Sequence, residues 1–202
     1  MRLLRQQIDT KGVQMKPISR LLFFPLLLCS AVAGANSSNW IDAISLTYGQ
    51  DEDSNEIDIY RIGLQNNWER TWFNGGAWYV GGYWDAELAQ LESDHRPSKN
   101  SDLFNLSLTP VFRLQRDTSL SSGVSPYAEA GIGAHLISET RLGHKQYSTA
   151  FQFGSLIGAG LGFGDRGQYQ LGYRFQHISN ADIKKPNDGI NLHLLRLAYA
   201  FE

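Results

Sequence analysis

Between residues 151 and 163 the chain alternates: Phe151, Phe153, Ile157, Leu161 and Phe163 share one parity, Gln152, Gly154, Gly158, Gly160 and Gly162 the other. Successive side chains of a strand point to opposite faces, so this segment is a strand with one hydrocarbon face and one small or polar face. A helix, with its 3.6-residue period, would scatter the same residues around its circumference. The segment 102–115 repeats the pattern, with Phe104, Leu106, Leu108, Phe112 and Leu114 opposed to Asn105, Ser107, Thr109, Arg113 and Gln115. Eight such segments follow one another, at 40–49, 56–67, 77–89, 102–115, 124–137, 148–164, 168–178 and 190–201. After residue 36 no stretch of about eighteen continuous apolar residues occurs, so no transmembrane helix is expected there.

An even number of alternating strands suits a closed antiparallel barrel, whose apolar faces need either hydrocarbon or a dry core. Here composition helps decide. Aromatic residues make up 12% of the chain and glycines number 20, yet mean hydropathy is only −0.30. Membrane barrels combine these features because lipid-facing and lumen-facing positions cancel in any averaging window. The competing fold is a soluble lipocalin-like barrel, with its apolar faces turned inward around a ligand. Turn chemistry marks tight connections at 74–76 and 164–167, and longer polar ones at 90–101 and 180–189. The last segment sets Leu195, Leu197, Tyr199 and Phe201 opposite Arg196, much like the aromatic-ended C-termini of proteins inserted into the outer membrane, with Glu202 a departure. The expectation is an all-β protein, an eight-stranded antiparallel transmembrane β-barrel of the bacterial outer membrane, with polar residues lining its lumen.

Ahead of the barrel, Lys16 and Arg20 precede an apolar run at 21–28, and Ala33-Gly34-Ala35 supplies an A-x-A cleavage pattern. Residues 1–35 therefore read as a secretory signal peptide, with Met15 as a second start, and 36–202 as one barrel domain. Cys29 is the only cysteine; Leu28 is a poor neighbour for a lipid-modified cysteine, and the mature chain would carry no disulfide, thiol nucleophile or cysteine metal ligand. Formal net charge is −2, with no basic surface that suggests nucleic acid.

One strand breaks the rule that the outer face is apolar. Tyr169, Leu171, Tyr173 and Phe175 share a parity that continues to His177 and Ser179, while Gln170, Gly172, Arg174 and Gln176 belong to the lumen. On the next strand the matching face begins with Asn191 and His193 before Leu195, and paired strands lie about 4.8 Å apart. A serine hydroxyl is a poor nucleophile at neutral pH, and an adjacent imidazole can take its proton during attack on an ester carbonyl. His-x-Ser is by itself a weak motif, and polar residues at a barrel rim commonly bind water or lipid head groups.

The run Phe175-Gln176-His177-Ile178-Ser179-Asn180-Ala181-Asp182-Ile183-Lys184-Lys185-Pro186-Asn187-Asp188-Gly189-Ile190 resembles the signature of PagL-type lipid A 3-O-deacylases. The resemblance extends more loosely through 126–136 and 151–154. It implies an outer-membrane barrel whose exterior His and Ser cleave the 3-position acyl ester of lipid A in lipopolysaccharide, with no metal or other cofactor, and it leaves room for a homodimer. Carried onto this chain, it gives His177 as base, Ser179 as nucleophile and Asn180 as an oxyanion donor, a residue that is otherwise a turn-starting Asn. Where the family pattern places a glutamate to orient the histidine, fourteen residues after it, this chain has Asn191. An Asn carbonyl can accept the imidazole N–H but brings no full charge, so a slower enzyme is expected. Asp182 and Asp188 stand open as substitute acids, with turn or capping roles as the alternative. His193 suits an aromatic belt or a lipid A phosphate, or a pairing with Ser179, and Lys184 and Lys185 suit anionic head groups or plain solvation. Two other functions stay open at this point: a noncatalytic barrel that stabilises the envelope or binds a lipid, and acyl transfer to an alcohol in place of water.

Overall fold

Eight antiparallel strands close on themselves in the computed structural model, which describes residues 40–53, 56–94, 100–117 and 123–201. They are β1 (Ala43–Asp51), β2 (Ile57–Asn67), β3 (Trp78–Ser93), β4 (Asp102–Arg116), β5 (Val124–Ile137), β8 (Phe151–Phe163), β9 (Tyr169–Ser179) and β10 (Ile190–Ala200), with a two-stranded hairpin, β6 (Arg141–Leu142) and β7 (Lys145–Gln146), between β5 and β8. Around the barrel the order is β1-β10-β9-β8-β5-β4-β3-β2. Closure pairs the first strand with the last, from Ala43 opposite Ala200 to Asp51 opposite Leu192. The sheet therefore has no edge to protect. The expected signal peptide, 1–35, lies outside the described residues.

The apolar parity points outward. Leu106, Ile132, Ile157 and Leu195 are between 54% and 68% exposed, and the outward face of β4 is hydrocarbon from Phe104 to Leu114. Water would not tolerate so continuous a patch, and a lipocalin would hide it, so this surface is built for lipid. Aromatic rings gather near the end where the chain enters and leaves the barrel: Trp68 packs edge-on against Phe112 and Trp84, and Tyr169 meets Tyr199. Such girdles sit at the membrane–water interface.

The interior is filled rather than open, and it is layered. At mid-height Arg174 donates to Glu129 (2.6 Å), Asp85 (3.0 Å) and the Tyr83 hydroxyl (2.7 Å), Arg113 to Glu129 (2.8 Å), and Arg61 to Glu87 (2.7 Å) and Gln176 (2.9 Å). Three guanidinium groups thus meet three carboxylates, as buried charges require. Toward the end opposite the termini, hereafter the loop end, Ile57, Ile59, Leu91, Leu103, Leu192 and Leu194 make an apolar plug. The expectation of a polar lumen holds for the middle layer and fails here, where Leu142 and Tyr147 of the connection between β5 and β8 pack into the same buried cluster.

Strand ends depart from the sequence reading in places. β3 runs to Ser93, so the connection expected at 90–101 shrinks to 94–101. At the terminal end the chain between β2 and β3 spans 68–77 and folds back so that Trp72 and Val80 form an isolated bridge, a longer connection than the tight turn at 74–76. The β6–β7 hairpin has too few residues per strand to show a period.

Candidate active site

β9 ends at the loop end with Tyr173, Phe175, His177 and Ser179 all on its outward face, while Arg174, Gln176 and Ile178 point in. The backbone register then sets the neighbours: His177 lies opposite Asn191 on β10 and Ser155 on β8, and Ser179 lies opposite Phe153. His177 Nε2 is 3.0 Å from Ser179 Oγ, and His177 Nδ1 is 2.7 Å from Asn191 Oδ1. One imidazole thus bridges a hydroxyl and an amide oxygen, with Ser155 and His193 as polar neighbours, on a surface that Phe153, Ile157, Phe175 and Leu195 otherwise make apolar.

A residue not foreseen from the sequence completes the row. Asn191 Nδ2 donates to Glu52 Oε2 at 2.8 Å, and the Glu52 backbone N–H donates to the Asn191 carbonyl at 2.9 Å. Glu52 follows β1 and continues the outward parity of Leu46, Tyr48 and Gln50. Closure of the barrel places it at the site, so its signal was parity carried past residue 50 together with pairing of the first and last strands.

The loop 180–189 is pinned from below. Asn180 is fully buried and donates both side-chain hydrogens to backbone carbonyls, of Tyr147 (2.8 Å) and Lys184 (2.7 Å), while its own N–H reaches Asn187 Oδ1 (3.1 Å). Asn180 stands beside Ser179 as its position in the chain requires, but in this arrangement it is an anchor: a donor role at the ester oxygen requires it to give up one of those carbonyls. Neither candidate substitute acid is engaged with His177. Asp182 Oδ1 accepts from Asn187 and Oδ2 pairs with Lys185, and Asp188 accepts from the Gln146 N–H at 2.7 Å. Asn187 and the Lys185 cation hold the Asp182 carboxyl below its ordinary range. Ala181 and Asp182 both have positive φ, 52° and 62°, a conformation that L-residues hold only under tertiary constraint. Gly189 also has positive φ, 60°, and a Cβ there would sit 3.1 Å from His177 Cε1, so glycine at this turn leaves space for the imidazole.

His193 is hydrogen-bonded through Nδ1 to the Tyr173 hydroxyl and packs on Phe175 with centroids 5.4 Å apart. It belongs to the aromatic belt beside the site. Lys184 and Lys185 are exposed on the loop. Among the described residues no group of three or more His, Cys, Asp or Glu is placed to hold a metal ion.

Chemically, the row Ser179–His177–Asn191 is a hydroxyl, a base and an acceptor in series. With Nδ1 donating to Asn191, the lone pair on Nε2 is free to take the serine proton.

A protein-family model described as "Lipid A 3-O-deacylase (PagL)" matches residues 58–200. The chain is 38% identical over 137 residues to a Pseudomonas aeruginosa protein named lipid A deacylase PagL, covering 67% of this chain and 74% of that one. A Bordetella bronchiseptica protein of the same name is 39% identical over 99 residues, 49% of this chain and 51% of its own. Among solved structures, the crystal structure of the outer membrane enzyme PagL superposes with a TM-score of 0.68 at 31% identity, over 79% of this chain and 99% of that one.

Proposed function

Because the chain belongs to the PagL family of lipid A 3-O-deacylases, we propose that Ser179, His177 and Asn191 are the groups with which it works. The protein is an outer-membrane esterase that hydrolyses the 3-O-linked primary acyl chain of lipid A and so modifies lipopolysaccharide. The proposal assigns the chemistry to atoms. Nε2 of His177 takes the Ser179 proton as Oγ attacks the ester carbonyl. The tetrahedral intermediate expels the sugar 3-oxygen, which receives that proton from Nε2–H, and an acyl-serine remains. Water, deprotonated by the same nitrogen, attacks the acyl-serine; fatty acid leaves and Ser179 is regenerated.

The observation that carries this reading is the 3.0 Å contact between His177 Nε2 and Ser179 Oγ on an outward, apolar surface. There the hydroxyl meets an ester that never leaves the membrane, and the neighbouring Phe153, Ile157, Phe175 and Leu195 present hydrocarbon to an acyl chain. Mass spectrometry of lipid A from cells expressing the protein tests it: loss of one 3-hydroxyacyl mass is expected with wild type and not with Ser179→Ala or His177→Ala. The same loss from Ser179→Ala overturns the assignment. A mass gain on an acceptor lipid would instead indicate acyl transfer, and a folded wild-type barrel that leaves every lipid unchanged would indicate a noncatalytic one.

Two further parts of the proposal concern the chain as a whole. Residues 1–35 are a signal peptide, supported by the basic, apolar and small-residue order of 16–35; the mature protein is then expected to begin at Asn36. The homodimer suggested by family resemblance is checked by cross-linking in intact outer membranes.

A further inference from the structure

We infer that Glu52 is a positioning residue for this site, acting through Asn191 to decide which ring nitrogen of His177 carries the proton. The inference rests on the esterase reading above, and its logic is directional. A carboxylate only accepts hydrogen bonds, so Glu52 Oε2, 2.8 Å from Asn191, fixes the amide with its NH2 toward the acid. The other end of that amide, Oδ1, is then the atom 2.7 Å from His177 Nδ1. An amide oxygen also only accepts, so Nδ1 must carry the hydrogen and Nε2, facing Ser179 Oγ at 3.0 Å, must carry the lone pair. Reverse the amide and the order reverses: its NH2 would face Nδ1, the ring hydrogen would move to Nε2, and the base would point a proton at the nucleophile.

Glu52 is built to hold this orientation. Its N–H grips the Asn191 carbonyl while its side chain grips the Asn191 amide. The β1–β10 ladder that ends at Asp51 and Leu192 brings the two residues together across 139 positions of sequence. Because Glu52 is exposed, solvent screens its charge at the ring, so direction is its main contribution and charge a minor one. The acid that the family pattern would put in contact with the histidine thus sits one residue further out, just past the end of β1.

The test is a set of full-length variants, with folding read from the heat-modifiable gel migration of the closed barrel. Glu52→Gln keeps an acceptor and is expected to lose only a few-fold in kcat. Glu52→Ala frees the amide and should lose about 10-fold, and Glu52→Lys, a donor that reverses it, about 100-fold or more, with KM for lipid A unchanged in all three. With Asn191→Glu in place the imidazole has its own carboxylate, and Glu52→Lys should then change kcat no more than a few-fold. In detergent micelles the 15N shifts of labelled histidine, with His177 assigned from its loss in His177→Ala, should show the Nδ1-protonated tautomer in wild type and the Nε2-protonated one in Glu52→Lys. An unchanged tautomer overturns the inference whatever the rates do, as do wild-type kcat values for Glu52→Ala and Glu52→Lys. If Glu52→Lys fails to fold, Glu52→Ala decides: a neutral ring mixing both tautomers supports the inference and the pure wild-type tautomer overturns it. A tautomer switch in Glu52→Lys, found while the wild-type protein has no esterase activity, would instead sink the esterase reading and leave the role of Glu52 standing.

Discussion

Inside the barrel, Arg174 of β9 reaches Glu129, Asp85 and Tyr83; outside it, three residues along the same strand, His177 reaches Ser179 and Asn191. The inner cluster is almost wholly buried, with Arg174, Asp85 and Glu129 each 4% exposed or less. The outer one is open on the side where a lipid would lie. Burial dictates the difference in composition. A charge removed from water is costly unless it meets opposite charge and hydrogen bonds, so Arg61, Arg113 and Arg174 are each set against a carboxylate. The outer row, Ser179, His177, Asn191 and Glu52, is a single file with its one carboxylate at the exposed far end. A proton can move along such a row without leaving an unpaired charge in a dry interior. Polar residues on one strand therefore serve cohesion on one face and, in the proposed function, chemistry on the other.

The largest difference between the two clusters is expected at Ser179. Its replacement by Ala is expected to lower turnover by about 10⁴-fold or more while the barrel folds as before, measured as lipid A product per folded protein. Glu129→Ala should do the reverse. It leaves Arg113 and Arg174 without their shared partner, costs about 3–5 kcal/mol of stability in denaturant titrations, and leaves the activity of the folded fraction close to wild type. Comparable losses of stability from both variants would erase the distinction between the clusters.

Smaller effects are expected in the loop 180–189. Gly189→Ala forces a positive φ on an L-residue and crowds the imidazole; about 1–2 kcal/mol of strain and a roughly 10-fold drop in kcat are expected. Last comes Asp182, whose carboxyl is held below its ordinary range by Asn187 first and Lys185 second. A carboxyl with a depressed folded value stabilises the loop above the unfolded value and ceases to do so as pH falls through the folded one. Acidification through the carboxylate range should therefore speed proteolysis within 180–189, and Asp182→Asn should remove that dependence.

Much of this was legible before any fold was known. The alternation in 102–115 and 151–163 sets both the strands and the sides they face, and the continuation of the Tyr173–Phe175 parity to His177 and Ser179 puts both of them on the lipid side. Asn191 fell beside His177 because two adjacent antiparallel strands joined by a single loop leave little freedom of register. Where the Asn180 amide points was not legible, because position next to Ser179 says nothing about the direction of a side chain. The loop turns it inward to carbonyls of Tyr147 and Lys184, the first contributed by the connection before β8.

By itself, then, the sequence determined whatever repeats with a two-residue period: the number of strands, their faces and the outward His-x-Ser. Such a period is written into each segment and needs no partner to be read. Which distant groups meet is set by the folded ring: the apolar plug at the loop end, the anchoring of Asn180 and the approach of Glu52 to Asn191. Those contacts depend on the register with which a closed sheet joins its first strand to its last, and that register is a property of the whole ring rather than of any stretch within it.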